Sequence, residues 1–147
     1  MAEVALRQLI ADDIVLRGRV EVTSAGTAKW HVGSPMDPRA RRALDRAGLH
    51  LAGSPGGYAD RAYLDSHDIV VVMTREHLAD VRARLTNEAT EVIMLRNLLS
   101  PGSNLDVADP YYGDDAEFDE CLELLRRGGQ RLTSVLRRRC DGGSYGA

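Results

Sequence analysis

The chain predicts an α/β fold, an open and mostly parallel sheet with helices on both faces. Three observations carry that expectation. Apolar residues recur at three- and four-residue spacings near both ends of the chain, the period of amphipathic helices. Ile69-Val70-Val71-Val72-Met73 is a continuous, mainly β-branched run, as in a strand covered on both faces. Strand-like and helix-like segments then alternate, the order that builds parallel sheets through helical crossovers.

The elements follow in order. Val4, Ala5, Leu6, Leu9, Ile10 and Ile14 form one apolar stripe, so the chain should open as a helix. Val20 to Gly26 alternates like a strand and ends in a small-residue turn. Asp37-Pro38 announces a second helix, with Asp as cap and Pro at the first helical position, and Gly48 closes it. After the Ile69–Met73 strand, Thr74 can cap a helix running to about Leu85. Glu91 to Leu98 reads as a further strand, followed by a loop to Gly113. The last helix carries Phe118, Leu122, Leu125, Leu132 and Leu136 on one face, with Gly128-Gly129 as a point of weakness or kinking. Residues 1–139 are expected to form one domain, and 140–147 a disordered tail with almost nothing to bury.

Composition narrows the function classes. A chain of 147 residues that is 44% hydrophobic can bury one core. A net charge of −3 argues against a nucleic-acid binder. With no apolar run long enough to span a bilayer and no leader-like start, the expectation is a cytoplasmic protein with no membrane partner. Two cysteines, Cys121 and Cys140, make no disulfide framework, and His31, His50, His67 and His77 show no metal-ligand spacing, so no metal and no cofactor are expected. Nothing in the sequence sets an oligomeric state.

Three short segments carry chemistry: Thr23-Ser24-Ala25-Gly26-Thr27, Trp30-His31-Val32-Gly33 and Asp109-Pro110-Tyr111-Tyr112-Gly113. In this order and on these element types, the chain resembles the low-molecular-weight protein tyrosine phosphatases from Met1-Ala2-Glu3 to its last helix. The resemblance implies hydrolysis of phosphotyrosine proteins through a phosphocysteine intermediate. Asp109 would then be the general acid that protonates the leaving phenolate and afterwards the base that activates water. Such a group contributes roughly 10²–10⁴ in rate. Trp30 and Tyr111 would wall a slot for the phenol ring, and Tyr112, more exposed, is a candidate regulatory phosphorylation site. Ser24 matches a serine that supports the phosphate loop, and His31 reads as a surface residue.

The resemblance also implies a nucleophile in a Cys-x5-Arg-Ser loop followed by Pro-Met-Ala-Glu. This chain begins Met1-Ala2-Glu3, where that loop should already have ended. The family's first strand lies between its second and third, so two strands about two spacings of ~4.8 Å apart would lose their shared partner. Cys121 and Arg127 fit Cys-x5-Arg literally, but six helical residues set them ~240° apart around the axis. Cys121 is therefore expected as a buried helix residue. Ala52-Gly53-Ser54-Pro55-Gly56-Gly57-Tyr58 also lacks the histidine and Ala-Arg-Gln run that would brace the loop. The readings left open are a longer reading frame with a misplaced start, a phosphatase-dead binding module, and an arsenate-reductase-like protein. The 147-residue chain is expected to be inactive as written.

Overall fold

The computed structural model describes residues 1–30 and 32–142. His31 and residues 143–147, most of the expected tail, lie outside the described residues. The chain divides into two compact units. One comprises Met1–Thr23, Asp37–Gly53 and the chain from Pro110 onward; the other comprises Ser24–Met36 and Ser54–Asp109.

The first unit is helical. Helices α1 (Ala2–Ala11) and α2 (Pro38–Arg46) both pack on the long α6 (Asp115–Gly142). Val4, Ala5 and Ile10 are buried from α1, Ala40, Ala43 and Leu44 from α2, and Phe118, Leu122, Leu125 and Leu132 from α6. Ile14, expected on the α1 stripe, is 78% exposed because the helix has already ended at Ala11. Helix α2 starts and stops as its sequence requires. Asp37 accepts the Arg39 N–H and Pro38 opens the helix. Gly48 takes φ 73°, and the N–H groups of Leu49 and Gly48 return to the carbonyls of Leu44 and Asp45 at 2.8 and 3.0 Å, a Schellman close. On the exposed side of this pair, Arg42 and Arg46 bind Asp115 and Asp119 at 2.7–3.1 Å.

Helix α6 runs unbroken through Gly128-Gly129 to Gly142, so Cys140, Asp141 and Gly142 are helical where a disordered tail was expected to begin. Gly129 serves packing. A methyl group on Gly129 would come within 2.9 Å of Leu9 Cδ1 on α1. The two helices approach closely there because no side chain separates them.

The second unit holds the sheet. Strands β1 (Ile69–Val72) and β2 (Glu91–Met94) pair in parallel, Ile69 opposite Glu91 and Val72 opposite Met94. Helix α4 (Arg75–Arg84) makes the crossover, capped by Thr74 accepting the His77 N–H at 3.1 Å. Helix α3 (Arg61–Asp65) packs against α4, and α5 (Leu95–Leu99) follows β2 directly. Ala59, Leu64, Val72, Val81 and Met94 form the core. The fold class is thus α/β with a parallel sheet, as expected.

Two strand expectations need correction. Residues 20–25 form no ladder among the described residues; Gly26 makes a single parallel bridge to Tyr58. Alternation supplies an extended tendency, but a strand exists only where a neighbour completes its hydrogen bonds. Leu95–Leu98, expected to extend the next strand, is helix α5, because β2 stops at Met94, the partner of the last β1 residue. The β1 run is also only half-buried at Ile69, Val70 and Val71 rather than covered throughout. No helix among the described residues is long and apolar enough to cross a membrane.

Candidate active site

Asp109 is placed by the segment that leads to it. The Val107 N–H donates to the carbonyl of Met73, just past the carboxyl end of β1, at 2.8 Å, and Val107 itself is buried. One residue earlier, the Asp106 carboxylate accepts the Arg75 N–H at 2.8 Å at the start of α4. That hydrogen bond, together with the Arg75 guanidinium, holds Asp106 below the usual carboxylate range. Asp109 follows two residues after Val107 with an exposed side chain. Ligand crevices of parallel α/β sheets lie outside the carboxyl ends of strands, and this carboxylate is delivered from such an end.

In the first unit, Pro110–Tyr112 is one 3₁₀ turn, closed by the Gly113 N–H donating to the Pro110 carbonyl at 2.8 Å. The turn displays its rings. Tyr111 is 51% and Tyr112 97% exposed, and they meet edge-on at 5.1 Å between centroids. Helix α6 begins at once. Asp114 accepts the N–H groups of Ala116 and Glu117, and the Glu117 carboxylate accepts the Asp114 N–H at 3.1 Å. This reciprocal capping box ends the turn at a fixed point.

Arg39, absent from the sequence expectations, organises this turn. Its guanidinium is paired with Asp37 at 2.8 Å, donates to the Gly113 carbonyl at 3.2 Å, and lies 5.6 Å from the Tyr111 ring and 4.8 Å from the Phe118 ring. The hydrogen bond from Arg39 pulls the Asp37 carboxyl down to about 2. Only the Asp37-Pro38 cap was legible; the contact with Gly113 bridges 74 positions and leaves no local signal.

In the second unit, Trp30 sits in a loop with its side chain 84% exposed, which excludes core packing. The loop is nevertheless ordered by its neighbour segment. Gly26 and Gly33 donate to the carbonyls of Gly57 and Gly56, and Ala59 and Gly56 donate back to Gly26 and Ser34, all at 2.7–3.0 Å. Arg84 on α4 adds bonds to the carbonyls of Thr27 and Ala59 at 2.9 and 3.1 Å. Ser24 is exposed at the start of the same loop.

Both thiols are on α6. Cys121 and Arg127 are both within α6, so the literal Cys-x5-Arg match is a helix segment and not a phosphate-binding loop. Cys121 is half-buried rather than fully buried, and Cys140 lies near the end of the same helix. Among the described residues, no three His, Cys, Asp or Glu side chains converge to hold a metal ion. The arrangement offers an exposed carboxylate for proton transfer and exposed aromatic rings for stacking. Trp30 and Asp109 belong to the second unit, Tyr111 and Tyr112 to the first.

Comparison with known proteins identifies the family. The family model of low molecular weight phosphotyrosine protein phosphatases matches residues 1–141. A low molecular weight protein-tyrosine-phosphatase of Streptomyces coelicolor is 34% identical over 97% of this chain and 88% of its own length. Low molecular weight protein-tyrosine phosphatase A of Mycobacterium bovis is 41% identical over 72% of this chain and 64% of its own. Among solved structures, a low molecular weight phosphotyrosine phosphatase of Vibrio cholerae O395 superposes with a TM-score of 0.82 at 26% identity, covering 94% of this chain and 88% of the other. A match along nearly the whole chain, with a relative 34% identical across it, places the chain in the low molecular weight phosphotyrosine protein phosphatase family.

Proposed function

We propose that this domain serves the hydrolysis of phosphotyrosine in proteins, with Asp109 as general acid and base and Trp30 and Tyr111 against the phenol ring. The observation that carries the reading is the Asp109–Gly113 segment. It joins an exposed carboxylate, delivered from the carboxyl end of β1, to a turn that displays two tyrosines. In the chemistry the family implies, a thiolate attacks phosphorus and the phenolate leaves with the Asp109 proton. Asp109 then takes a proton from the water that releases phosphate and regenerates the thiolate. Tyr112, almost fully exposed, is open to a kinase and serves as a regulatory site. Residues 1–139 act as one functional domain in the cytoplasm.

The 147-residue chain does not itself complete this reaction. Both of its cysteines lie inside helix α6, whose backbone N–H groups are taken up by the helix's own hydrogen bonds and cannot cradle a phosphate beside the thiol. The same fact disfavours arsenate reduction, which needs several thiols at one site. It favours, as the second reading, a module that binds phosphotyrosine without cleaving it.

Hydrolysis of an aryl phosphate by the purified chain is the test. No turnover above the Cys121→Ser, Cys140→Ser double variant is expected. Turnover that survives both serine substitutions and disappears with Asp109→Ala would overturn the inactive reading, since it requires a nucleophile other than either cysteine.

A further inference from the structure

Loop 24–36 is built more carefully than an exposed tryptophan alone requires. Four backbone bonds stitch it to residues 56–59, and Arg84 ties Thr27 to Ala59. Arg84 also lies 5.2 Å from the Tyr58 ring and 3.6 Å from Asp80, so its charge is already engaged. The same Tyr58 ring carries a second cation. Lys29 Nζ stands 4.9 Å from its centroid. That contact holds a flexible side chain in place while leaving ammonium protons for a partner.

Lys29 is the only lysine in the chain. It is exposed and makes no ion pair among the described residues. Its carbonyl accepts the Val32 N–H at 3.3 Å, and Lys29 and Trp30 are consecutive. Their α-carbons are therefore about 3.8 Å apart. Consecutive residues of a bound peptide have the same α-carbon spacing, so a residue beside one stacked on Trp30 would lie at the spacing of Lys29.

We propose that the adjacent residues Lys29 and Trp30 read two points of a substrate: Trp30 takes the phosphotyrosine ring, and Lys29 takes a carboxylate on a residue next to it. The inference rests on the proposed role of Trp30 and adds the substrate class, phosphotyrosine in an acidic stretch. Tyr58 is the positioning residue that aims Lys29, and Arg84 is the latch that fixes Tyr58 and the loop together. An exposed ion pair of this kind strengthens binding by roughly two- to fivefold and weakens with salt.

Trp30 is the sole tryptophan, so its fluorescence reports the loop directly. The test titrates the 147-residue chain with three phosphotyrosine peptides that differ only in the flanking residues, Glu, Ala or Lys. The Glu peptide is expected to bind about threefold more tightly than the Ala peptide, and the Lys peptide least tightly. High salt, Lys29→Met and Lys29→Gln should each remove the difference, and Tyr58→Leu should reduce it. Equal affinities for all three peptides, or a preference that survives both Lys29 variants, would overturn the role of Lys29 and leave Trp30 as a ring contact. No response of Trp30 to any of the peptides would overturn the ring contact as well.

Discussion

The Arg39 guanidinium lies 5.6 Å from the Tyr111 ring centre while its Nη1 donates to the Gly113 carbonyl at 3.2 Å. One side chain from the first turn of α2 thus grips the aromatic turn at two points, and its pairing with Asp37 keeps it from swinging away. Tyr111 is half exposed, and its ring also meets Tyr112 edge-on at 5.1 Å.

Arg39→Met should therefore lower the urea midpoint of unfolding, through the lost bonds to Asp37 and Gly113. Arg39→Lys should recover only part, because an ammonium cannot serve a carboxylate, a carbonyl and two rings from one plane. Ring resonances of Tyr111 should shift and sharpen in both variants. Unchanged resonances would mean that the turn holds its own shape.

The pairing also sets an acid limit. Asp37 has a folded pKa of about 2 against 3.8 for the unreacted side chain. A carboxyl depressed by folding contributes stability that is fully present above about pH 4 and fades as pH falls through about 2. Asp37→Asn keeps an oxygen to cap α2 but removes the charge. The variant should be less stable than the parent at neutral pH, and the two stability curves should converge near pH 2. Parallel curves would show that the charge contributes nothing to folding.

Local signals were legible and distant ones were not. Asp37-Pro38, Gly48 and Thr74 marked helix ends correctly because a cap involves residues only two to five positions apart. Val20–Gly26 and Leu95–Leu98 misled because a ladder depends on what lies beside the segment, which alternation cannot encode. The same division runs through the candidate residues. Asp109, Tyr111 and Trp30 were singled out from contiguous motifs, whereas Arg39 and Arg84 act across 74 and 57 positions. Both are ordinary helix arginines until the partner carbonyls are seen.

Gly113 presents a separate case. Its backbone is not in the left-handed region, so a side chain there meets no intrinsic strain. Its space is filled instead by the Glu117 carboxylate, which a methyl group would overlap. Gly113→Ala should displace Glu117, break its bond to the Asp114 N–H, and cost about 1 kcal/mol. A double-mutant cycle checks the cause. In a Glu117→Ala background, where only the Cβ at 3.0 Å remains, most of that cost should disappear. A full penalty in both backgrounds would trace the effect to the turn itself.

Gly129 separates helix propensity from packing. Alanine in a helix interior gains about 1 kcal/mol over glycine. The added methyl would stand 2.9 Å from Leu9 Cδ1 and 3.7 Å from Leu6 Cδ1, both ends of flexible side chains. Rotating Leu9 to make room offsets most of that gain, so Gly129→Ala should be nearly neutral in thermal unfolding. Valine adds two more carbons against the same helix and cannot be absorbed that way. It should destabilise by about 1–3 kcal/mol, and Leu9→Ala should restore part of the loss by making room. If Gly129→Val were tolerated without that rescue, the close approach of α1 to α6 would be incidental rather than the reason for glycine in this helix.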